Sequence, residues 1–192
     1  GRETDATASI GAACSQPGDD AEQLLRKADI AMYNAKSAGK ARCVLFQPHM
    51  QEQLHDRLRL EQDIDLAFAR NEFFVEFQPV VDLTSRELLG VEALVRWNHP
   101  QRGIVMPNSF ISIAEETGRI VELGRRVLVD VCTQIRAWSD SVEAGTGLRV
   151  AVNISGRHLQ QGDLVADVRH ALKASGLDAA NLVIELTEST IM

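Results

Sequence analysis

The sequence predicts an α/β fold: a mostly parallel sheet with helical cover, preceded by a shorter strand–helix–strand unit. Two observations carry this expectation. From about residue 72 onward, apolar runs with strand character alternate with segments whose apolar residues recur at helical spacing, the order from which βαβ units are built. Before that, residues 1–48 hold a strand, a long helix and a short strand, and a highly charged stretch separates the two patterns. At 192 residues the chain has room for one medium domain or two small ones.

The elements follow in order. Thr7 to Cys14 reads as a strand, and Ser15-Gln16-Pro17-Gly18-Asp19-Asp20 is a turn cluster ending in an N-cap candidate. A helix over about Ala21–Ala38 rests on Leu24, Leu25, Ala28, Ala31, Met32 and Ala35, with Gly39 as its stop. Arg42 to Phe46 is a short strand that Gln47-Pro48 breaks. From Met50 to Arg70 the chain is charged, with Leu54, Leu58, Ile64 and Phe68 at amphipathic spacing. It reads as a connecting helix over 49–70, with the domain boundary near 48; the stripe is too short to argue strongly for a coiled coil.

Glu72–Val81 and Leu88–Trp97 are strands separated by a turn at Thr84-Ser85-Arg86, short enough for a hairpin. Pro107 suits the first turn of a helix that stops at Thr117-Gly118. A longer helix covers Val121–Trp138 on Val127, Leu128, Val131, Ile135 and Trp138. A loop at Gly145-Thr146-Gly147 leads to a strand over Leu148–Ile154, a helix over Leu164–Ala174 with Gly176 after it, and a strand over Leu182–Leu186. Four such strands fit half of a (β/α) barrel as well as an open sheet.

Composition narrows the function. With 45% hydrophobic and 24% charged residues the chain is ordinary for a soluble globular protein. A net charge of −7 argues against binding long nucleic acid, which needs a basic face. A small anionic ligand fits if metal ions or a few placed Arg and Lys residues supply positive charge. Cys14, Cys43 and Cys132 are odd in number and lack metal-like spacing, so the expectation is reduced, mostly buried thiols in a reducing cytoplasm. No apolar run reaches the roughly 18 residues of a membrane span, and no signal peptide opens the chain. With no initiator Met and apolar strands at both ends, the chain reads as a piece cut at both sides.

Chemistry in α/β folds gathers at the carboxyl ends of strands. Three strands carry an oxygen-bearing side chain among apolar neighbours: Glu92, Asn153 and Glu185. A buried carboxylate is costly unless it is paired or bound to metal. Two carboxylates and an amide oxygen form a hard ligand set suited to Mg²⁺, Mn²⁺ or Ca²⁺ rather than zinc. Neutralisation of either Glu by Arg96 or Arg149 is the structural alternative. His99 and His158, with no second His at ligand spacing, read as surface polar residues, and Trp97 as a packing residue.

Several segments carry a resemblance: Gln78-Pro79-Val80-Val81, Glu92-Ala93-Leu94-Val95-Arg96-Trp97, Phe110-Ile111-Ser112-Ile113-Ala114-Glu115-Glu116-Thr117-Gly118, Val152-Asn153-Ile154-Ser155 and Glu185-Leu186-Thr187-Glu188-Ser189. In order and spacing, residues 52–192 resemble EAL domains, which implies a partial (β/α) barrel of the EAL type over 71–192. It further implies hydrolysis of cyclic-di-GMP to linear pGpG with two divalent cations, Mg²⁺ or Mn²⁺. By resemblance, Glu92, Asn153 and Glu185 are metal ligands, and Gln78, Leu94 and Arg96 are substrate contacts, with Arg96 facing a phosphate oxygen. Glu188 resembles the family residue that steadies the loop after the next strand, and so supports the site indirectly. Phe77 stands where the family often has Tyr. The family's later Asp-Asp pair, Lys, Glu and Gln lie past Met192, so the piece alone is expected to be inactive.

Residues 1–48 resemble the end of an α+β GGDEF (diguanylate cyclase-like) domain through Ala8-Ser9-Ile10-Gly11 and the run from Ala28 to Lys40. The resemblance implies GTP-phosphate contacts at Lys36 and Lys40; Lys40 stands where Arg is usual and Ala41 where Asn is common. The parent is then expected to be a cytoplasmic homodimer, or one attached to a membrane through upstream domains. Two alternatives stand beside the hydrolase: a cyclic-di-GMP receptor that does not cleave, and a bifunctional protein with net cyclase activity.

Overall fold

The computed structural model describes residues 7–141 and 147–186. Its contacts divide the chain into two units, Gly1–Arg59 and Leu60–Met192.

In the first unit, strands β1 (Ile10–Ala12) and β2 (Cys43–Leu45) pair in parallel, Gly11 opposite Val44, and helix α1 (Ala21–Ser37) connects them. Asp20 starts α1 by accepting the Gln23 N–H at 2.7 Å, leaving fewer unpaired donors at the first turn. At Gly11 the backbone of α1 packs directly on the strand. A Cβ there would come within 2.1 Å of the Ala28 carbonyl oxygen, so glycine alone fits. The Asp19 carboxylate accepts from Lys27 at 2.6 Å, and that contact holds its pKa below the usual range. Lys36, in the last turn of α1, and Lys40, with φ +60°, are both exposed. Cys14 and Cys43 are also exposed. That corrects the expectation of mostly buried thiols, which holds for Cys132 alone: Cys14 follows β1 and Cys43 opens the three-residue strand β2, in a unit with only a two-stranded sheet among the described residues.

Helix α2 (Pro48–Ala69) contains the division between the units. Pro48, read as a breaker, opens this helix, where its missing N–H costs nothing. Met50 is buried in the first unit, whereas Leu60, Ile64 and Ala67 are buried in the core of the second.

The second unit is a five-stranded mixed sheet with helices packed on one face. Strands β3 (Phe73–Val81) and β4 (Leu88–His99) are antiparallel, as the hairpin signal predicts. Their turn is tied by Asp82, whose Oδ1 accepts the N–H groups of Thr84 and Ser85, and these bonds lower its pKa. Strand β5 (Gly103–Val105), not expected from the sequence, folds back antiparallel on β4. Helices α3 (Pro107–Glu116) and α4 (Ile120–Ser141) lead to β6 (Arg149–Ile154), parallel to β4. The expected loop at 145–147 falls largely outside the described residues. Helix α5 (Gly156–Gln161), also unexpected, and α6 (Leu164–Ser175) precede β7 (Leu182–Leu186), parallel to β6, giving the order β3-β4-β6-β7. Gly176 ends α6 with φ +70°, a left-handed cap.

Strand residues alternate between two layers. Val91, Ala93, Trp97, Val150, Val152 and Ile154 are buried against the helices, together with Leu128, Val131 and Ile135 of α4. Trp97 stacks among Phe73, Phe110 and His99, its ring centroid 5.4, 5.9 and 5.1 Å from theirs, and donates its indole N–H to Glu72 at 2.9 Å. Phe77 meets Trp138 edge-on at 4.8 Å. Among the described residues, no helix is long and apolar enough to cross a membrane.

Candidate active site

The register of the strands decides what the opposite face displays. Directly opposed residues in neighbouring strands point the same way. Gln78 lies opposite Glu92 and Glu76 opposite Leu94 on β3 and β4. Glu92 lies opposite Ala151, two residues before Asn153, and Asn153 lies opposite Glu185. Counting by twos along β4 adds Arg96. Gln78, Glu92, Leu94, Arg96, Asn153 and Glu185 therefore share the sheet face turned away from the helices. With strands about 4.8 Å apart, Glu92, Asn153 and Glu185 form a row across three adjacent strands.

This face is more open than the sequence implied. Glu92 is half-buried, and Asn153 and Glu185 are exposed. The helices cover the other side of the strands, so these carboxylates do not stand in a buried layer. Glu92 accepts a 2.7 Å hydrogen bond from the Asn153 amide, Nδ2 to Oε1. Arg96 is only 8% exposed, and its Nε donates to Glu76 at 2.8 Å. The neutralising partner of Arg96 is thus Glu76 on β3, a residue the sequence reading did not single out, and Glu92 keeps its carboxylate on the open face.

The turn after Asn153 is held from two sides. Ser155 caps α5, accepting the Arg157 N–H, and donates its hydroxyl to Glu115 at 2.5 Å, while Arg157 reaches the Glu115 carbonyl at 2.7 Å. His158 is 1% exposed, and its Nε2 meets Asp167 at 2.9 Å. Arg125 donates to the other oxygen of Asp167 at 2.8 Å. Burial works to raise the Asp167 pKa, yet the His158 and Arg125 hydrogen bonds outweigh it and hold the carboxyl below its ordinary value. Gly124 and Gly162 give the His158 ring its room.

The surface placement expected for His99 and His158 is therefore wrong. His99 is 3% exposed and bonded to Asp63 at 3.1 Å, and each ring is carried inward by a carboxylate partner on another element. Beside Leu94 and Asn153, past the last β4–β6 pair at Ala93 and Val152, a mostly apolar cleft of about 480 Å³ opens among Pro107, Asn108, Ile111 and Ser155. Among the described residues, no group of three or more His, Cys, Asp and Glu side chains is placed to hold a metal ion. The Glu92–Asn153–Glu185 row offers two carboxylates and one amide. Glu188 lies outside the described residues.

Residues 61–192 match the family model described as EAL domain. The chain belongs to the EAL domain family. Ahead of this EAL unit, residues 1–42 match the model described as diguanylate cyclase, GGDEF domain. Similar proteins include the bifunctional diguanylate cyclase/cyclic di-GMP phosphodiesterase MucR of Pseudomonas aeruginosa, 39% identical over 188 residues, which span 97% of this chain and 27% of MucR. Cyclic di-GMP phosphodiesterase PdeR of Escherichia coli is 37% identical over 185 residues, 96% of this chain and 27% of PdeR. The chain thus spans about a quarter of the length of these curated relatives.

Among solved structures, the PaMucR phosphodiesterase in complex with c-di-GMP aligns with a TM-score of 0.65 at 40% identity, covering 70% of this chain and 53% of that one. The cGMP-bound EAL enzyme Bd1971 aligns with a TM-score of 0.66 at 27% identity, covering 92% and 45%. The EAL unit has the α/β fold of these EAL-type structures, and the row of polar residues lies on strands that the EAL model covers.

Proposed function

We propose that this chain contributes to a phosphodiesterase that hydrolyses cyclic-di-GMP to linear pGpG. The observation that carries the proposal is the shared sheet face, where Glu92, Asn153 and Glu185 stand in a row with Gln78, Leu94 and Arg96 beside them. MucR and PdeR, both named as cyclic di-GMP phosphodiesterases, are over a third identical to this chain.

The donor chemistry fits Mg²⁺ or Mn²⁺. Glu92 and Asn153 already meet at 2.7 Å, and Glu185 faces Asn153 in register. As arranged, Asn153 turns its N–H toward Glu92, so holding a cation through Oδ1 requires a half-turn of the amide. Glu92 and Glu185 would then complete a partial ligand set. Divalent cations, when bound, supply Lewis acidity toward the phosphodiester and lower the pKa of water. Arg96 supplies fixed positive charge for a phosphate oxygen, Leu94 an apolar contact at the mouth of the cleft, and Gln78 hydrogen-bonding capacity for the nucleotide. Glu188 steadies a neighbouring loop in this proposal.

The same proposal takes residues 1–48 as the GGDEF remnant with Lys36 and Lys40 toward GTP phosphates, 49–70 as the connecting helix, and 71–192 as EAL. It places a homodimer in the cytoplasm, and the free thiols suit such a reducing compartment.

The test is to incubate the whole protein with cyclic-di-GMP and Mn²⁺ beside a Glu92→Ala variant and follow pGpG by chromatography. Product from the wild type that is lost in Glu92→Ala supports the proposal. No product from the wild type would overturn the hydrolase, and tight binding without cleavage would identify a receptor. Equal product from both proteins would refute the role given to Glu92.

A further inference from the structure

We propose that Glu76 is a positioning residue: it fixes the guanidinium of Arg96 so that only the terminal edge, Nη1 and Nη2, is offered to the phosphate of the ligand. The proposal rests on the reading of Arg96 as a phosphate contact. Nothing in that reading assigns Glu76 a role.

Glu76 lies on β3 opposite Leu94, on the same sheet face as Gln78, Glu92 and Arg96. Arg96 lies opposite Phe74, so Glu76 reaches it on the diagonal, within range for long side chains. The Nε of Arg96 donates to Glu76 Oε2 at 2.8 Å, and Nη1 donates to the Val95 carbonyl at 3.0 Å. A guanidinium carries five N–H groups, and these two contacts leave one on Nη1 and both on Nη2.

An arginine can grip a phosphate through its side edge, Nε with Nη2, or through its terminal edge, Nη1 with Nη2. Glu76 occupies Nε and so closes the side edge. The Val95 carbonyl takes one Nη1 hydrogen, and together the two tethers fix the plane of the group. Arg96 is thereby ordered before any ligand arrives, and less rotamer freedom remains to be lost on binding.

The side chain of Glu76 is 48% exposed, against 10% for that of Arg96, so the carboxylate can be replaced without opening the core. A simple electrostatic role would run the other way. Glu76 would repel an anionic ligand, and its removal would tighten binding. The two roles therefore predict opposite signs.

The experiment measures KM and kcat for cyclic-di-GMP with the whole protein, comparing Glu76→Ala, Glu76→Gln, Arg96→Ala and the Glu76→Ala/Arg96→Ala double variant. Glu76→Ala is expected to raise KM roughly tenfold, the scale of one hydrogen bond to a charged group, while lowering kcat far less. Glu76→Gln, which keeps an acceptor for Nε, should fall between wild type and Glu76→Ala. In the Arg96→Ala background, Glu76→Ala should add no further effect, because its partner is gone. An unchanged or lower KM in Glu76→Ala, or an equal effect with and without Arg96, would overturn the proposal. If Arg96→Ala raises KM and Glu76→Ala does not, the positioning role alone fails. If Arg96→Ala leaves KM unchanged, the phosphate-contact reading fails and the positioning role with it.

Discussion

Replacing Gly124 with alanine would place a methyl carbon 2.3 Å from His158 Nδ1 and 2.7 Å from Cε1. Gly124 lies inside α4, where alanine is intrinsically favoured by roughly 0.8–1 kcal/mol, so propensity alone predicts stabilisation. The His158 ring cannot yield cheaply. It is 1% exposed, held by Asp167 at 2.9 Å, and packed beside Gly162. Overpacking a closed site costs about 1–3 kcal/mol, and giving up a hydrogen bond to a carboxylate costs about 1.5–3 kcal/mol. The steric and polar costs exceed the helix gain, for a net destabilisation of roughly 1.5–5 kcal/mol. Urea unfolding followed by tryptophan fluorescence reads this well, since both tryptophans, Trp97 and Trp138, lie in the second unit. With a slope of about 1–3 kcal/mol per molar, the midpoint should fall by on the order of 1 M or more. In a His158→Ala background the clash disappears, and Gly124→Ala should instead raise the midpoint. An unchanged or higher midpoint for Gly124→Ala in the otherwise native chain would mean that the His158 ring makes room for the methyl group and that the pocket is not closed.

Asp167 sets an acid limit. Its folded pKa lies below the unfolded value of about 3.9, so its stabilisation is fully present above that value and is lost as pH falls through the folded pKa. Asp167→Asn should lower the urea midpoint at pH 7 and flatten its decline below about pH 4; parallel pH profiles for the two proteins would contradict this. Burial pushes the Cys132 thiol up to about 11, whereas Cys14 and Cys43 are exposed. A maleimide at pH 7.5 should label two thiols in the folded chain and all three in urea, and mass spectrometry of native Cys132-labelled protein would count against the fold described.

What the sequence made legible was whatever rests on local pattern. The stripe of α4, the Asp20 cap, the hairpin between β3 and β4 and the Gly176 stop all repeat within a few residues, and each forms. Strand β5 and helix α5, three and six residues long, are too short to show a period. Long-range partners escaped for a different reason. Asp63 stands 36 residues from His99, and Glu76 stands 20 from Arg96. No spacing rule links such pairs before the strands are in register. The candidate site divides the same way: strand alternation puts Glu92, Leu94 and Arg96 on one side, but only the pairing of β4, β6 and β7 shows that Asn153 and Glu185 join them.

The pairing of β3 with β4 also acts as a proofreader. Trp97 occupies the apolar layer, and its neighbour Arg96 faces the opposite way. Because side chains alternate strictly, a strand misaligned by one residue would bring Arg96 inward and expel Trp97, and would turn Glu92 and Leu94 away from Gln78 in the same motion. Misthreaded molecules would therefore lose their aromatic packing and their candidate chemistry together. A population that sets Gln78 of β3 on the same face as Glu92, Leu94 and Arg96 of β4 has, by that fact, already been sorted against slips of one residue.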